Sequence, residues 1–229
     1  MIKILYEDKH LVAFIKPCGL LSAPSETESE CVGAVLCRER NYKELFLVHR
    51  LDRNVSGAMI MAKNKAAAGK LSALVSERSF GKEYLAVVHG VPSEECGVFE
   101  DLLFKDSRSN KTFVVDKMRK GVKDASLEYR LLASADTEDG VLSLVRIRLH
   151  TGRTHQIRVQ FSSRGLPLFG DGKYGSHTNA GMIALFSTRL IFTHPMLREK
   201  LLTLEAMPDV REYPWSEFER ELGYSPESN

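Results

Sequence analysis

Glu44-Leu45-Phe46-Leu47-Val48-His49-Arg50-Leu51-Asp52-Arg53-Asn54-Val55-Ser56-Gly57-Ala58-Met59-Ile60-Met61-Ala62 passes from one apolar run to another through a polar turn. The flanking runs read as strands, and a charge-dense turn between strands is a place where a scaffold displays chemistry. Asp52 stands among His49, Arg50 and Arg53. Nearby cations favour the ionised carboxylate. An ionised acid suits a nucleophile or a base better than a proton donor. A plain surface salt bridge competes with that reading of His49–Gly57, and the rest of the chain decides between them.

Working outward, Ile2–Glu7 and Leu11–Lys16 read as strands around a turn, closed by Lys16-Pro17-Cys18-Gly19. Ser22–Glu30 is a polar loop. A helix is expected from Ser29 or Glu30, with Val32, Val35 and Leu36 on one face. After a strand over Val55–Ala62, Asn64 is placed to cap a helix reaching about Arg78, with Leu71, Leu74 and Val75 inward. Phe80–Gly90 is a strand, and residues 97–134 read as several more. Within them Lys105–Lys123 is a basic segment read as a solvated hairpin.

Val141–His150 alternates in the manner of a strand, with Arg146 and Arg148 on one face. Thr154 is expected to cap a helix ending near Gly165. Its first-turn N–H groups, with Arg153 and Arg158, would make a site for an anionic group. Strands over Met182–Thr193 and Lys200–Ala206 and a helix over Trp215–Leu222 complete the chain. Strands outnumber helices without alternating regularly with them. This predicts α+β with a mixed or antiparallel sheet, not a doubly wound α/β fold.

The 229 residues suffice for a substantial core, and with no repeat or clear linker they are read as one domain over 1–229. The net charge of +2 hides an asymmetry. Residues 141–170 hold Arg146, Arg148, Arg153, Arg158 and Arg164 and no acid, whereas the stretch from 205 onward is acidic. A basic local face points to an anionic partner. Cys18, Cys31, Cys37 and Cys96 lack zinc-knuckle spacing. The pair His150 and His155 is not a convincing metal pair either. With no apolar h-region at the N-terminus and no apolar run of membrane-spanning length, the expectation is reduced thiols in a cytoplasmic protein. No coiled-coil pattern is present, so a monomer is expected.

Two blocks together remove the ambiguity. His49–Gly57 resembles the His-Arg-Leu-Asp-x-x-Thr-Ser-Gly motif of the RluA-type pseudouridine synthases. Thr151–Val159 resembles that family's Thr-Gly-Arg-Thr-His-Gln-Ile-Arg-Val block. Tyr6-Glu7-Asp8 through Lys16-Pro17-x-Gly19, Lys82-x-Tyr84-x-Ala86-x-Val88-x-Gly90, Gly170-Asp171 through Tyr174-Gly175, and Phe192-x-His194-Pro195 match further landmarks in order. Val55 departs from the family's usual Thr. The S4-type RNA-binding module of many relatives is expected to be absent, since the pattern begins at the first residues.

The resemblance implies a pseudouridine-synthase fold: a mixed, largely antiparallel central sheet flanked by helices, with a central active-site cleft. It implies an isomerase acting on uridine in structured RNA, a ribosomal or transfer RNA stem-loop, with no metal or other cofactor and no membrane. It assigns Asp52, Tyr84 and Arg158 to catalysis. Asp52 would act as nucleophile or base, Arg158 would hold it, and Tyr84 would stack on the base. It assigns His49, Arg50, Arg53, Arg153 and His155 to RNA binding. Arg50 would fill the gap left by the extruded base or hold a phosphate, and His49 reads better as a loop-ordering residue than as an acid–base catalyst. A non-catalytic RNA-binding relative is the alternative, but Asp52 and Arg158 are both present. A hydrolase would want a second carboxylate that neither block supplies.

Overall fold

The computed structural model describes residues 1–178, 180–197 and 199–223. Among them the chain forms, in order, β1 (Ile4–Glu7), β2 (Leu11–Lys16), α1 (Val32–Arg40), β3 (Phe46–Leu47), β4 (Ser56–Ala62), α2 (Lys65–Ser76), β5 (Gly81–His89) and β6 (Cys96–Asp106). There follow β7 (Lys111–Val115), β8 (Val122–Thr137), β9 (Gly140–Leu149), α3 (Gln156–Ser162), β10 (Leu185–Thr193) and β11 (Leu201–Glu205). The chain divides into two compact units. The first comprises Met1–Glu83 with Phe186–Met207, and the second Tyr84–Leu185 with the segment from Pro208 on. Two of the three boundaries fall inside strands, in β5 and at the start of β10, and the third follows β11.

In the first unit β4 is the hub. It pairs antiparallel with β2 along its whole length, antiparallel with the short β3, and parallel with β10 at Ser56 and Gly57. β1 extends the sheet beyond β2, and β11 beyond β10. The continuous apolar sequence of β4 is explained by burial on both faces: Ala58, Met59, Ile60 and Ala62 are fully buried. α2 starts as expected, with Asn64 Oδ1 accepting from Ala67 N at 2.9 Å. α1 starts later than expected, at Val32. Cys31 occupies the cap position without a side-chain cap bond, and the polar residues before it stay in the loop.

The second unit has the strand order β5-β9-β8-β6-β7. Three successive antiparallel pairings join the long strands β9, β8 and β6 and the short β7. α3 lies on β6 and β7. Phe161 of α3 meets Phe99 and Tyr129 edge-on at ring separations of 5.0 and 5.7 Å. Leu103, Ala125, Val159 and Tyr174 form a second buried cluster beside it.

Three expectations are corrected here. α3 ends at Ser162, and a turn closing on Gly165 follows. His155, not Thr154, holds the cap position, in a left-handed conformation with φ 54°. The C-terminal helix is only a 3-10 turn over Trp215–Phe218. In the two shortened helices a short apolar stretch is buried by tertiary packing and needs no long helix to reach the core. On β9 both faces are buried through Leu142–Val145, and the exposed arginine face begins at Arg146.

Candidate active site

Asp52 lies half-buried in the loop between β3 and β4. The backbone is fastened on both sides of it. Ser22 Oγ donates to Leu51 O at 2.7 Å and accepts from Leu51 N at 3.0 Å. Arg53 O accepts from Gly19 N at 2.9 Å and from Lys16 Nζ at 3.1 Å. Val55 N donates back to Asp52 O at 3.1 Å, closing a tight turn. The valine side chain is buried, which gives a packing reason for an apolar residue at that position. Gly57 must be glycine twice over. Its φ is +118°, and a Cβ would overlap Ser187 N and O on the parallel strand β10.

Lys16 is fully buried, with Nζ also donating to Pro17 O at 2.7 Å. Burial lowers its pKa to about 8, against the pull of Cys18 and Asp52, which favour the charged form. The loop's one carboxylate therefore has a buried ammonium in its electrostatic surroundings, a feature that Lys16-Pro17 in sequence does not announce.

His49 is 7% exposed, with its ring 5.5 Å from that of Phe80. Its Nε2 accepts from Ile60 N at 3.1 Å, so the neutral ring carries its hydrogen on Nδ1. Burial, with Lys82 nearby, pushes its pKa down to about 3. Through that bond to β4 the buried ring orders the loop. Arg50 is exposed. Arg53 lies outward too, but is engaged: Nε donates to Gly19 O at 2.9 Å and Nη1 to Glu28 Oε2 at 2.8 Å. It clamps the Ser22–Glu30 loop to the Asp52 turn.

The second unit holds Tyr84, Arg153, His155 and Arg158. Tyr84 is 5% exposed, at the start of the buried run of β5. Arg153 Nε donates to Asp124 O at 2.8 Å, and its guanidinium approaches the Asp124 carboxylate at 3.6 Å. The start of α3, where an anion site is expected, is shaped by Gln156. The helix has only two turns, and the Gln156 side chain folds back into the turn before it. Its Oε1 accepts from Arg153 N at 3.0 Å and Thr151 Oγ1 at 2.8 Å, and its Nε2 donates to Ser126 O at 3.1 Å. Gln156 N itself donates to Arg153 O at 3.1 Å, so the side chain and backbone of Gln156 together close the turn that precedes the helix.

Arg158 is buried and makes a two-point contact with Asp171. Nε donates to Oδ2 at 2.7 Å and Nη2 to Oδ1 at 2.8 Å. The guanidinium also lies 5.0 Å from the Tyr174 ring centroid. The Tyr174 hydroxyl accepts from Thr112 N at 2.8 Å and shares a second hydrogen bond with His155 Nδ1 at 2.9 Å. Asp171 and Tyr174 are named in sequence only as landmarks; their contacts with Arg158 emerge from the fold. Among the described residues no group of three or more His, Cys, Asp or Glu side chains is arranged to hold a metal ion. No helix among them is long and apolar enough to cross a membrane.

Residues 10–163 match the RNA pseudouridylate synthase family. The chain belongs to that family. It is 35% identical to an uncharacterised RNA pseudouridine synthase of Aquifex aeolicus, over 76% of this chain and 56% of that protein. It is also 35% identical to the ribosomal large subunit pseudouridine synthase D of Borreliella burgdorferi, over 76% and 55% of the two chains. The chain thus spans little more than half the length of these two relatives. The match to the dual-specificity RNA pseudouridine synthase RluA of Escherichia coli is 34% identical and covers 84% of this chain and 87% of that one.

Among solved structures, human RNA pseudouridylate synthase domain containing 4 superposes with a TM-score of 0.74 at 25% identity, covering 96% of this chain and 92% of the other. Human RNA pseudouridylate synthase domain containing 1 gives 0.75 at 23% identity, covering 92% and 84%. The fold is therefore the α+β fold of the pseudouridylate synthases, with the mixed sheet expected from the sequence.

Proposed function

We propose that the protein is an RNA pseudouridine synthase acting as a single catalytic domain on structured ribosomal or transfer RNA. The observation that carries this reading is the Asp52 turn of a family member, in which the neighbours Leu51 and Arg53 are both fastened to the β2–α1 segment. A carboxylate that must meet one sugar carbon needs such a fixed backbone. The reaction breaks the bond from uracil N1 to ribose C1′, turns the base, and joins C5 to C1′. C5 gives up a proton and N1 ends with one, so the composition of the nucleotide is unchanged. Asp52 attacks C1′ or removes a sugar proton to open the glycosidic bond. Arg158 supplies the cation that holds the acid, and Tyr84 meets the extruded base.

RNA contact falls to Arg50, Arg53, Arg153 and His155, with Arg50 guarding the entry of the flipped nucleotide. Choice among targets falls to the basic β6–β7 hairpin and the Ser22–Glu30 loop. The names of the relatives from Borreliella burgdorferi and Escherichia coli support ribosomal RNA or dual specificity as the substrate class. We place the enzyme in the cytoplasm as a monomer without metal or cofactor. Pseudouridine mapping across cellular RNA, with and without the gene and with Asp52→Asn in its place, tests the reading. Sites lost on deletion and not restored by Asp52→Asn are expected, with RNA affinity of the variant retained. Restoration by Asp52→Asn would sink the assignment.

A further inference from the structure

Lys82, at the start of β5, differs from the other buried and half-buried lysines of the first unit. Lys16 Nζ has Pro17 O and Arg53 O as acceptors at 2.7 and 3.1 Å, and Lys63 Nζ has Glu7 Oε1 and Asp8 O at 2.8 and 2.9 Å. Lys82 Nζ has neither an acceptor nor a carboxylate partner among the described residues. It lies 5.9 Å from the Phe80 ring centroid, and its charge reaches His49. Phe80 in turn stacks on Phe192 at 4.9 Å and stands 5.5 Å from the His49 ring, so the ammonium has rings beside it in place of oxygens. Strand alternation accounts for this. Gly81 and Glu83 turn to the opposite face, where a Gly81 Cβ would meet Ile191 Cβ at 3.2 Å and Glu83 reaches Arg189 at 3.8 Å. The carboxylate next in sequence is thus aimed away from the ammonium. Burial pushes the Lys82 pKa down, with no anion to hold it up.

We propose that Lys82 binds a backbone phosphate of the RNA next to the target uridine. The proposal rests on the reading above, in which the substrate is RNA and the extruded base meets Tyr84, two residues further along β5. A partly desolvated charge is costly unless it is paired. The protein offers Lys82 no counter-charge, and packing alone would be served as well by an apolar side chain there. Uracil and ribose are neutral, so the phosphodiester is the part of the substrate that supplies the missing charge. A lysine head carries three rotatable donors on a flexible stem and meets phosphate as a point charge, without the planar fork of an arginine. Lys82 is half-buried, which leaves that head within reach of a ligand. His49 precedes Asp52 by three residues, so the phosphate is held beside the segment that carries the catalytic carboxylate. Lys82 touches the substrate in this scheme, but none of its reacting atoms.

The test uses the full chain and an RNA it modifies, with two further RNAs in which the phosphate on the 5′ or the 3′ side of the target is replaced by an uncharged methylphosphonate. Lys82→Met keeps the length of the side chain and removes its charge. The parent is expected to bind one of the two altered RNAs about tenfold more weakly. Lys82→Met should bind the natural RNA about tenfold more weakly and lose little more on that altered RNA, since both changes remove one contact. Its slope of log affinity against log salt should be shallower by about 0.7 to 0.9. The RNA-free variant should melt at or above the parent's temperature, because an uncompensated charge is gone. A parental salt slope, or an equal methylphosphonate penalty in parent and variant, overturns the proposal and makes Lys82 a structural residue. If Lys82→Met does not fold, Lys82→Gln carries the same comparisons, and undiminished binding of both altered RNAs by the parent overturns the proposal without any variant. Asp52→Asn runs alongside. Full turnover there fails the catalytic reading itself, whereas its loss together with parent-like binding by Lys82→Met fails only the role of Lys82.

Discussion

His194 donates its Nε2 hydrogen to Asp8 Oδ2 over 2.7 Å, joining residues 186 positions apart. The tautomer follows from the other nitrogen, since Nδ1 accepts from Met196 N and Leu197 N at 3.1 and 2.9 Å. Asp8 in turn accepts from His10 N, Leu11 N and the Tyr6 hydroxyl. Burial works against its charge, but these donors outweigh it and hold its pKa at about 2. A folded pKa below the unfolded one means stability present above about pH 4 and lost as the pH falls through 2. Asp8→Asn should cost roughly 2 kcal/mol at pH 7 and flatten the stability curve between pH 4 and 2. Chemical denaturation at those pH values checks it, and an unchanged acid limb contradicts it.

His49 gives a signature of the same sign at milder pH. Its folded pKa of about 3 lies below the unfolded value near 6.5, so the unfolded chain binds more protons between them. Stability is whole above pH 6.5 and declines as the pH drops toward 3, with a slope reaching about 1.4 kcal/mol per pH unit for this one group. His49→Gln should remove one proton's worth of slope between pH 6 and 4. Turnover above pH 6 should show no ionisation belonging to His49.

Gly57→Ala should be among the most disruptive single-methyl changes in the chain. The positive φ and the overlap with the Ser187 backbone together cost roughly 3 kcal/mol or more. A fall in melting temperature with loss of soluble yield is expected. A melting point equal to the parent's would mean that β4 and β10 separate more easily than their register implies.

Ser22→Ala leaves both the N–H and the carbonyl of buried Leu51 without their hydroxyl partner. A loss of about 2 kcal/mol is expected from stranded buried polar groups. Because Leu51 adjoins Asp52, the folded fraction should also turn over more slowly, at least fivefold at saturating RNA. A stability loss with unchanged turnover would show that the turn keeps its shape without Ser22.

RNA affinity should fall with rising salt, since phosphate contacts release counterions. Exposed Arg50 separates two roles. If it holds phosphate, Arg50→Gln should reduce the slope of log affinity against log salt by about 0.7 to 0.9. If it fills the gap of the extruded base, the slope should stay and turnover should drop.

What was legible in the sequence is what is local. Leu11–Lys16 reads as a strand from six residues, and Asn64 reads as a cap because its partner Ala67 is three residues away. The arginine face of β9 is visible from alternation, although its first half is buried on both sides by neighbours that alternation cannot reveal. Thr154 misleads because a threonine is an ordinary cap, whereas the fold uses His155 and lets Gln156 close the turn. Gly170-Asp171 marks a place without stating that the carboxylate turns onto Arg158. The burial of Lys16 and of His49 depends on strands that arrive from elsewhere in the chain. Such pairings have no signature in either partner's neighbours.

Gly57 and Ser187 also set a timetable. The parallel register of β4 with β10 joins Ser56 and Gly57 to Phe186 and Ser187, 130 positions further along the chain. During synthesis from the N-terminus, the turn bearing Asp52 is translated early but its flanking strand waits for residues beyond 185 before that edge is covered. Contacts so distant along the chain form late, after the entropy of closing a long loop has been met. A nascent chain halted before β10 should therefore hold the Asp52 turn in an open, protease-sensitive form. The Asp52 turn would then take its final form only after β10 has been made.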